Sequence, residues 1–221
     1  MFSKGNCAPF NLQIPGVRHD FKVLAFEGDE AISGLYAIRI ELVSERADID
    51  LEGLLSQPAF LQFGFDQEGI HGRIEDVRMG EAGKRLTDYQ LTLVPALYYL
   101  QFSHDQRIFQ QRTVPQIIAQ VLKGHGIQGD AFTFHVTPNP PRDYCTQYAE
   151  SDFEFIQRLC AEDGIAWHHQ HSTDDHLLVF TDDQVFLPRL AATPYKQESG
   201  MVAEHQVISR APKTKRSTAM S

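Results

Sequence analysis

Four histidines, His168, His169, His171 and His176, fall within one short stretch beside Asp174 and Asp175. Imidazole and carboxylate are ligands that zinc favours. Alternate side chains of a strand share a face. His169 and His171 therefore line up with Trp167, His168 points the other way, and His176 can return across a short turn to meet them. This makes His169, His171 and His176 the candidate metal ligands. A zinc-dependent hydrolase using the His168–His176 cluster is the chemistry that would follow. The competing reading is the polar end of a hairpin, and it is favoured because no spaced pair such as H-E-x-x-H occurs.

Other motifs lead away from catalysis. Gly124-His125-Gly126-Ile127-Gln128-Gly129 satisfies G-x-G-x-x-G. A dinucleotide site needs a strand before that motif and a helix after it. Here a helix pattern precedes it and a strand pattern follows, so a glycine-rich helix exit is expected instead. No G-x-S-x-G elbow is present. Cys160 falls on an apolar helix stripe and reads as a small core residue, and Cys145 has no adjacent base. The pairs Asp48/Asp50, Glu162/Asp163 and Asp174/Asp175 are sequence neighbours, not carboxylates facing one another across a cleft, and are expected to be solvated. The chain is expected to have no catalytic residue and no cofactor.

The elements that would position these residues are legible in outline. Tyr36, Ile38, Ile40 and Leu42 alternate with Ala37, Arg39, Glu41 and Val43, the period of a half-buried strand. Ala59, Leu61, Phe63 and Phe65 alternate next, Gln67-Glu68-Gly69 offers a turn, and Ile70, Gly72 and Ile74 resume the pattern. Gly80 to Gly83 is read as a second turn, before a strand over Leu86–Val94. Asp48–Pro58 interrupts with a helical turn or loop. Several short antiparallel strands with frequent glycines predict a small barrel or sandwich.

The middle of the chain is different. Thr113-Val114-Pro115-Gln116 and Ser151-Asp152-Phe153-Glu154 each present a capping box ahead of an apolar stripe. The first stripe is Val114, Ile117, Ile118, Val121 and Leu122. The second is Phe153, Ile156, Leu159 and Cys160. Gly124 and Gly164 are expected to stop the two helices, and Glu154 and Glu162 to pair with Arg158. Strands follow at Ile165–His171 and Leu177–Thr181.

Composition bounds the function. There are 20 basic and 29 acidic residues, a formal charge of −9. Arg210, Lys213, Lys215 and Arg216 lie in the last twelve residues, which hold no acid. The rest carries 16 basic against 29 acidic residues, a formal −13. Such a body repels phosphate backbones, which excludes general nucleic-acid binding. Three cysteines, Cys7, Cys145 and Cys160, make no disulfide framework and point to reduced thiols and cytosolic assembly. The first residues lack the layout of a secretory signal, and no apolar run reaches the ~18–20 residues of a membrane helix.

The stretch YCTQYAESDFEFIQRLCAEDGIAWHHQH (Tyr144 to His171) resembles the VgrG family of type VI secretion spike proteins. Gln147, Tyr148, Glu150, Ser151, Asp152, Phe155, Arg158, Leu159, Glu162, Gly164 and Ile165 carry the resemblance. LTLVPALYYLQFSHDQRIFQQRTVPQIIAQVL (Leu91–Leu122) and HLLVFTDD (His176–Asp183) extend it. Trp167-His168-His169 departs from the family, which more often has Tyr and Phe there. The resemblance implies a mainly β (α+β) fold like a phage baseplate hub, with small antiparallel β-barrels and two short capped helices packed alongside. Residues 1–105 would form the first barrel, with 200–221 returning to complete it. Residues 106–199 would hold the helix-strand region and the start of a second barrel. The C-terminal needle would be missing, the chain being a piece of a longer spike. The implied role is structural: a homotrimer capping a hexameric, Hcp-like tube beside baseplate components. Effectors or a tip protein would attach through the missing part. The spike would be driven through the target membrane after assembly in the bacterial cytoplasm, leaving the cell without a signal peptide. A hub of a contractile phage or phage-derived particle is the alternative.

Overall fold

A computed structural model describes residues 10–63, 68–83 and 85–188. The alternating segments form strands. β3 (Ile38–Ser44) buries Ile38, Ile40 and Leu42 and exposes Arg39 and Glu41. It joins β1 (Phe10–Gln13), β2 (Lys22–Glu27), β4 (Pro58–Phe63), β5 (Gly69–Ala82) and β6 (Thr87–Val94) in one sheet. The strand order is β1-β4-β5-β6-β3-β2, with every pairing antiparallel. The two end strands approach each other, so the sheet is a nearly closed barrel. Phe26 of β2 meets Phe10 of β1 edge-on at 5.3 Å and stacks on Phe63 of β4 at 5.5 Å, which fills the remaining gap. Inside lie Leu12, Ile40, Leu61, Ile74, Leu91 and Leu93, each contributing about 1.5–3 kcal/mol by leaving water.

Two local readings shift. Gly80 lies inside β5 rather than in a turn, and the reversal comes at Gly83, whose N–H donates to Leu86 O. The long strand is accommodated by register shifts at Ile74/Asp76 and Met79/Ala82, since bulges add the twist that barrel closure needs. The interruption over Asp48–Pro58 contains a single 3-10 turn, Glu52–Leu54, with Leu54 buried in the barrel core. Phe65 and the segment 200–221 lie outside the described residues.

After Pro95 a 3-10 segment, Ala96–Phe102, carries Leu97 and Leu100 into a second core. β7 (His104–Arg112) and β9 (Arg142–Ser151) form a two-stranded antiparallel ribbon that turns Phe109 and Cys145 inward. β10 (Ala166–His171) pairs antiparallel with β11 (His176–Thr181), while β8 (Phe132–His135) lies parallel to β11. Nothing in the local pattern announces that parallel pair. It needs a long crossover, supplied by the ribbon strand and a helix between them.

α1 (Val114–Gly124) and α2 (Asp152–Asp163) begin with both halves of the capping boxes at Thr113/Gln116 and Ser151/Glu154. Their exits also match. Ile127 N–H reaches Leu122 O, and Ile165 N–H reaches Cys160 O. These are six-to-one bonds closed over a glycine in the left-handed region, Gly126 (φ 74°) and Gly164 (φ 68°). Gly126, not Gly124, is therefore the residue that ends α1; Gly124 is its last helical residue. The buried face of α2 is Asp152, Phe155, Ile156, Leu159 and Cys160, with Phe153 at its edge. Arg158 pairs with Glu162 (2.9 Å) and Glu150 (2.6 Å), not with Glu154, whose carboxylate is committed to the Ser151 cap.

Candidate functional site

The β10–β11 hairpin lays Trp167, His169 and His171 along one face of β10, with ring centroids 5.6 and 6.2 Å apart. The register sets His171 opposite His176, so the predicted return of His176 across a turn occurs. The turn is tied by Ser172 N–H to Asp175 O (2.9 Å) and by Asp175 N–H to Ser172 Oγ (3.1 Å).

The hairpin packs on the outside of the barrel, and this brings in a residue that the sequence reading missed. His71 of β5 sits beside Ile70 and Gly72, on the face that alternation assigns to solvent. It is only 4% exposed, because the hairpin covers that face. Its Nδ1 lies 2.9 Å from His176 Nδ1. Its backbone N–H donates to His171 Nδ1 (3.2 Å), and its carbonyl accepts from the Tyr36 hydroxyl (2.6 Å). His171 Nε2 faces Glu30 at 3.0 Å. Ala96 N–H donates to His176 Nε2 at 3.0 Å.

These partners assign the tautomers. Because His176 Nε2 accepts, neutral His176 carries its proton on Nδ1 and donates to His71 Nδ1, leaving His71 protonated on Nε2. By the same logic His171 accepts through Nδ1 and donates through Nε2 to Glu30. Burial, reinforced by His71, His171 and Arg73, pushes His176 down to about 3. Burial also lowers His71, against the pull of Asp175 and Asp174 and with the push of His171 and Arg73. His169 is driven well below its ordinary value, chiefly by burial and then by His176, His171 and His168. Burial lowers His168 as well, against Glu30. Burial therefore keeps His71, His168, His169 and His176 predominantly neutral near pH 7.

The structure brings His169, His171 and His176 together, but among the described residues the trio whose ligand atoms share a 4.8 Å neighbourhood is His71, Asp175 and His176. A metal-bound imidazole normally donates its second N–H to an acceptor. His176 does the reverse, receiving Ala96 N–H on Nε2. Ligation through Nδ1 would forfeit that bond, so the wiring suits a hydrogen-bonded junction better than an ion. Beside it opens a cleft of about 700 Å³ whose polar lining includes Arg73, His125, Asp130 and Asp175.

A second tie crosses the same seam. Ser33, held at φ 54°, donates its N–H to Trp167 O (2.7 Å) and accepts Trp167 N–H on Oγ (3.2 Å). Gln157 of α2 bridges both, donating to Ser33 O and accepting from the Trp167 indole N–H.

The remaining motif residues serve the second core. His125, from the glycine-rich motif, points Nε2 at Asp152 Oδ2 (2.5 Å). Asp152 Oδ1 accepts from Gln147 (2.7 Å) and from Arg107. Burial pushes the Asp152 carboxyl up, but the bonds from His125, Gln147 and Arg107 together outweigh it and hold it below the usual range. A Cβ at Gly124 or Gly126 would meet open space, so no backbone cradle is formed there. Burial raises both described thiols, Cys160 to about 12, which leaves them protonated and poorly nucleophilic. Glu162 and Asp163 are not free carboxylates but a fork holding Arg142, both at 2.5 Å.

The family model described as phage tail baseplate hub (GPD) matches residues 29–220. The type VI secretion system spike protein VgrG4b of Pseudomonas aeruginosa is 53% identical over 212 residues, covering 95% of this chain and 26% of that protein. VgrG5 of the same organism, also named a type VI secretion system spike protein, is 51% identical, covering 95% of this chain and 27% of that one. This chain thus spans about a quarter of the length of those relatives. Among solved structures, the E. coli c3393 protein superposes with a TM-score of 0.75 at 29% identity, covering 81% of this chain and 51% of that one. That protein is described as a type VI secretion component with structural similarity to the T4 bacteriophage tail proteins gp27 and gp5.

Proposed function

We propose that this chain, which belongs to the phage tail baseplate hub (GPD) family, is the hub end of a type VI secretion spike and acts mechanically, without a catalytic centre of its own. The observation that carries this reading is the 53% identity along 95% of the chain to a protein named as such a spike. The site chemistry is in keeping with it: His71 and His176 are tied to each other and His176 to the backbone of Ala96, burial raises the described thiols, and Glu162 and Asp163 hold Arg142.

In this reading three copies close a ring through heterologous contacts. Residues 1–105 and 106–199 supply two successive units of that ring. The ring caps a hexameric tube, contacts baseplate components, and passes effectors or a tip protein on through the longer protein's C-terminal part. The spike assembles in the cytoplasm and is exported by the secretion machine itself. Contraction delivers the force, so the hub's task is to transmit load without unfolding. Closed sheets and buried polar ties suit that task.

Light scattering across a concentration series tests the reading. A species near three times 25.1 kDa is expected for this chain or for a chain extended through the needle. A monomer in both would overturn it.

A further inference from the structure

We propose, resting on the hub reading above, that the outward face of the β7–β9 ribbon is the surface by which one copy of this chain seats on the next. Strand alternation turns Phe109, Cys145 and Gln147 into the second core. The same alternation turns Gln106, Ile108 and Gln110 of β7, and Tyr144, Thr146 and Tyr148 of β9, out to solvent. Ile108 stands opposite Thr146, and Gln110 opposite Tyr144, so the six make one contiguous patch. Tyr144 and Tyr148 are each 70% exposed and Ile108 68%. A lone exposed apolar side chain is ordinary, whereas a cluster on one sheet face marks a surface that is used.

The backbone holds the patch in place at a cost. The register shift between Asp105 and Arg107 leaves Tyr148 and Ala149 together opposite Gln106. Such a bulge re-aims a side chain. Ala149 at φ 53° and Gln111 at φ 50° lie in the left-handed region, which an L-residue with a Cβ enters only against steric resistance. One of these residues sits on each strand, and strain of this kind collects where a surface has a task. Beside Tyr144, a shallow hollow of about 270 Å³ lined by Gln110, Gln111 and Asp143 offers a seat for an opposing side chain.

Charge selects the occupant. The chain carries a formal −9, so copies repel one another over most of their surface. None of the six patch residues is charged. Here two acidic copies exclude water without setting like charges face to face. A partner recognised by its own charge gains nothing from such a face. Tyrosine enriched and charge depleted is also the composition of an interface centre. The two tyrosines and Ile108 together expose about 400 Å², roughly half of the ~800 Å² that each partner gives to a standard interface. Neither edge of the ribbon pairs with another described strand, which leaves the face open to approach. In a closed ring of three the contact is heterologous, so the patch meets a different surface of the next copy and not itself.

Photo-crosslinking tests this on the whole chain and on a chain extended through the needle. Each carries Tyr148→benzoylphenylalanine, a photoreactive aromatic. After irradiation, denaturing gels separate covalently joined copies from crosslinks within one copy, and mass spectrometry identifies the attached peptide. Joined copies in multiples of 25.1 kDa are expected for the whole chain, with the attached peptide lying outside the ribbon. Adding Thr146→Asp sets a negative charge at the centre of the patch and should cut the yield of joined copies at least about tenfold. Because Thr146 and Tyr148 are exposed, the urea midpoint followed by Trp167 fluorescence should stay unchanged in both variants. A trimer by light scattering that gives no joined copies, crosslinks only within a copy, or an undiminished yield with Thr146→Asp would each overturn the patch and leave the hub reading standing. A monomer in both forms would overturn the hub reading and the patch with it.

Discussion

Asp152→Ala is the most informative single change in the second core. Asp152 is 1% exposed and Gln147 is fully buried. The substitution removes the acceptor shared by Arg107, His125 and Gln147. Hydrogen bonds to a charged group contribute about 1.5–3 kcal/mol each, but three bonds to one carboxylate are not additive. Burying that carboxylate also costs something that the variant no longer bears. Breaking a buried ion pair by removing one partner costs about 3–5 kcal/mol, and about 4 kcal/mol is the expected loss. With a urea slope near 2 kcal/mol/M, the unfolding midpoint should fall by about 2 M. The assay is fluorescence of Trp167, the chain's single tryptophan, which is fully buried in the same core. Asp152→Asn keeps an acceptor oxygen for Gln147 or Arg107 and should lose about half as much. Because the folded-state pKa of Asp152 is depressed, its contribution is present above the unfolded value and declines as the pH drops through the folded one. The gap between the unmodified chain and Asp152→Ala should therefore narrow below about pH 4. A loss under about 1 kcal/mol, or an Asn variant as weak as the Ala variant, would refute the claim that this carboxylate organises the core.

Two further outcomes follow from the helix ends and the thiols. Gly126→Ala should lose about 1–2 kcal/mol in urea titration, because Gly126 holds φ 74°, whereas Gly124→Ala, inside a regular helix with open space at its Cβ, should be neutral or stabilising by up to about 1 kcal/mol; equal effects would contradict the assigned helix exit. Cys160, with its thiol pushed up to about 12, should resist an aromatic disulfide reagent at pH 8 until the chain is unfolded by urea, and prompt native labelling at that residue would disprove its burial.

What the sequence alone determined is whatever short-range physics decides. Strand alternation at Ile38–Leu42, the capping boxes at Thr113 and Ser151, and a glycine exit after each helix depend on neighbours within a few residues, and all appear in the structure. The His169–His171–His176 grouping was legible too, because strand parity and one tight turn define it. The structural role came from the resemblance of Tyr144–His171 to a family, since composition by itself only excluded alternatives. Tertiary structure decided the rest. Alternation assigned His71 to solvent, and only the docking of a hairpin 100 residues away buries it against His176. Asp152 stood in the sequence only as part of the Ser151–Glu154 capping box, and folding delivered Arg107 and His125 to it from 45 and 27 positions away. The parallel pairing of β8 with β11 likewise depends on a crossover that no local pattern encodes. A side chain's type and period say which way it points, but what waits there is set by which surfaces pack together, and that balance of burial against desolvation is made over the whole chain.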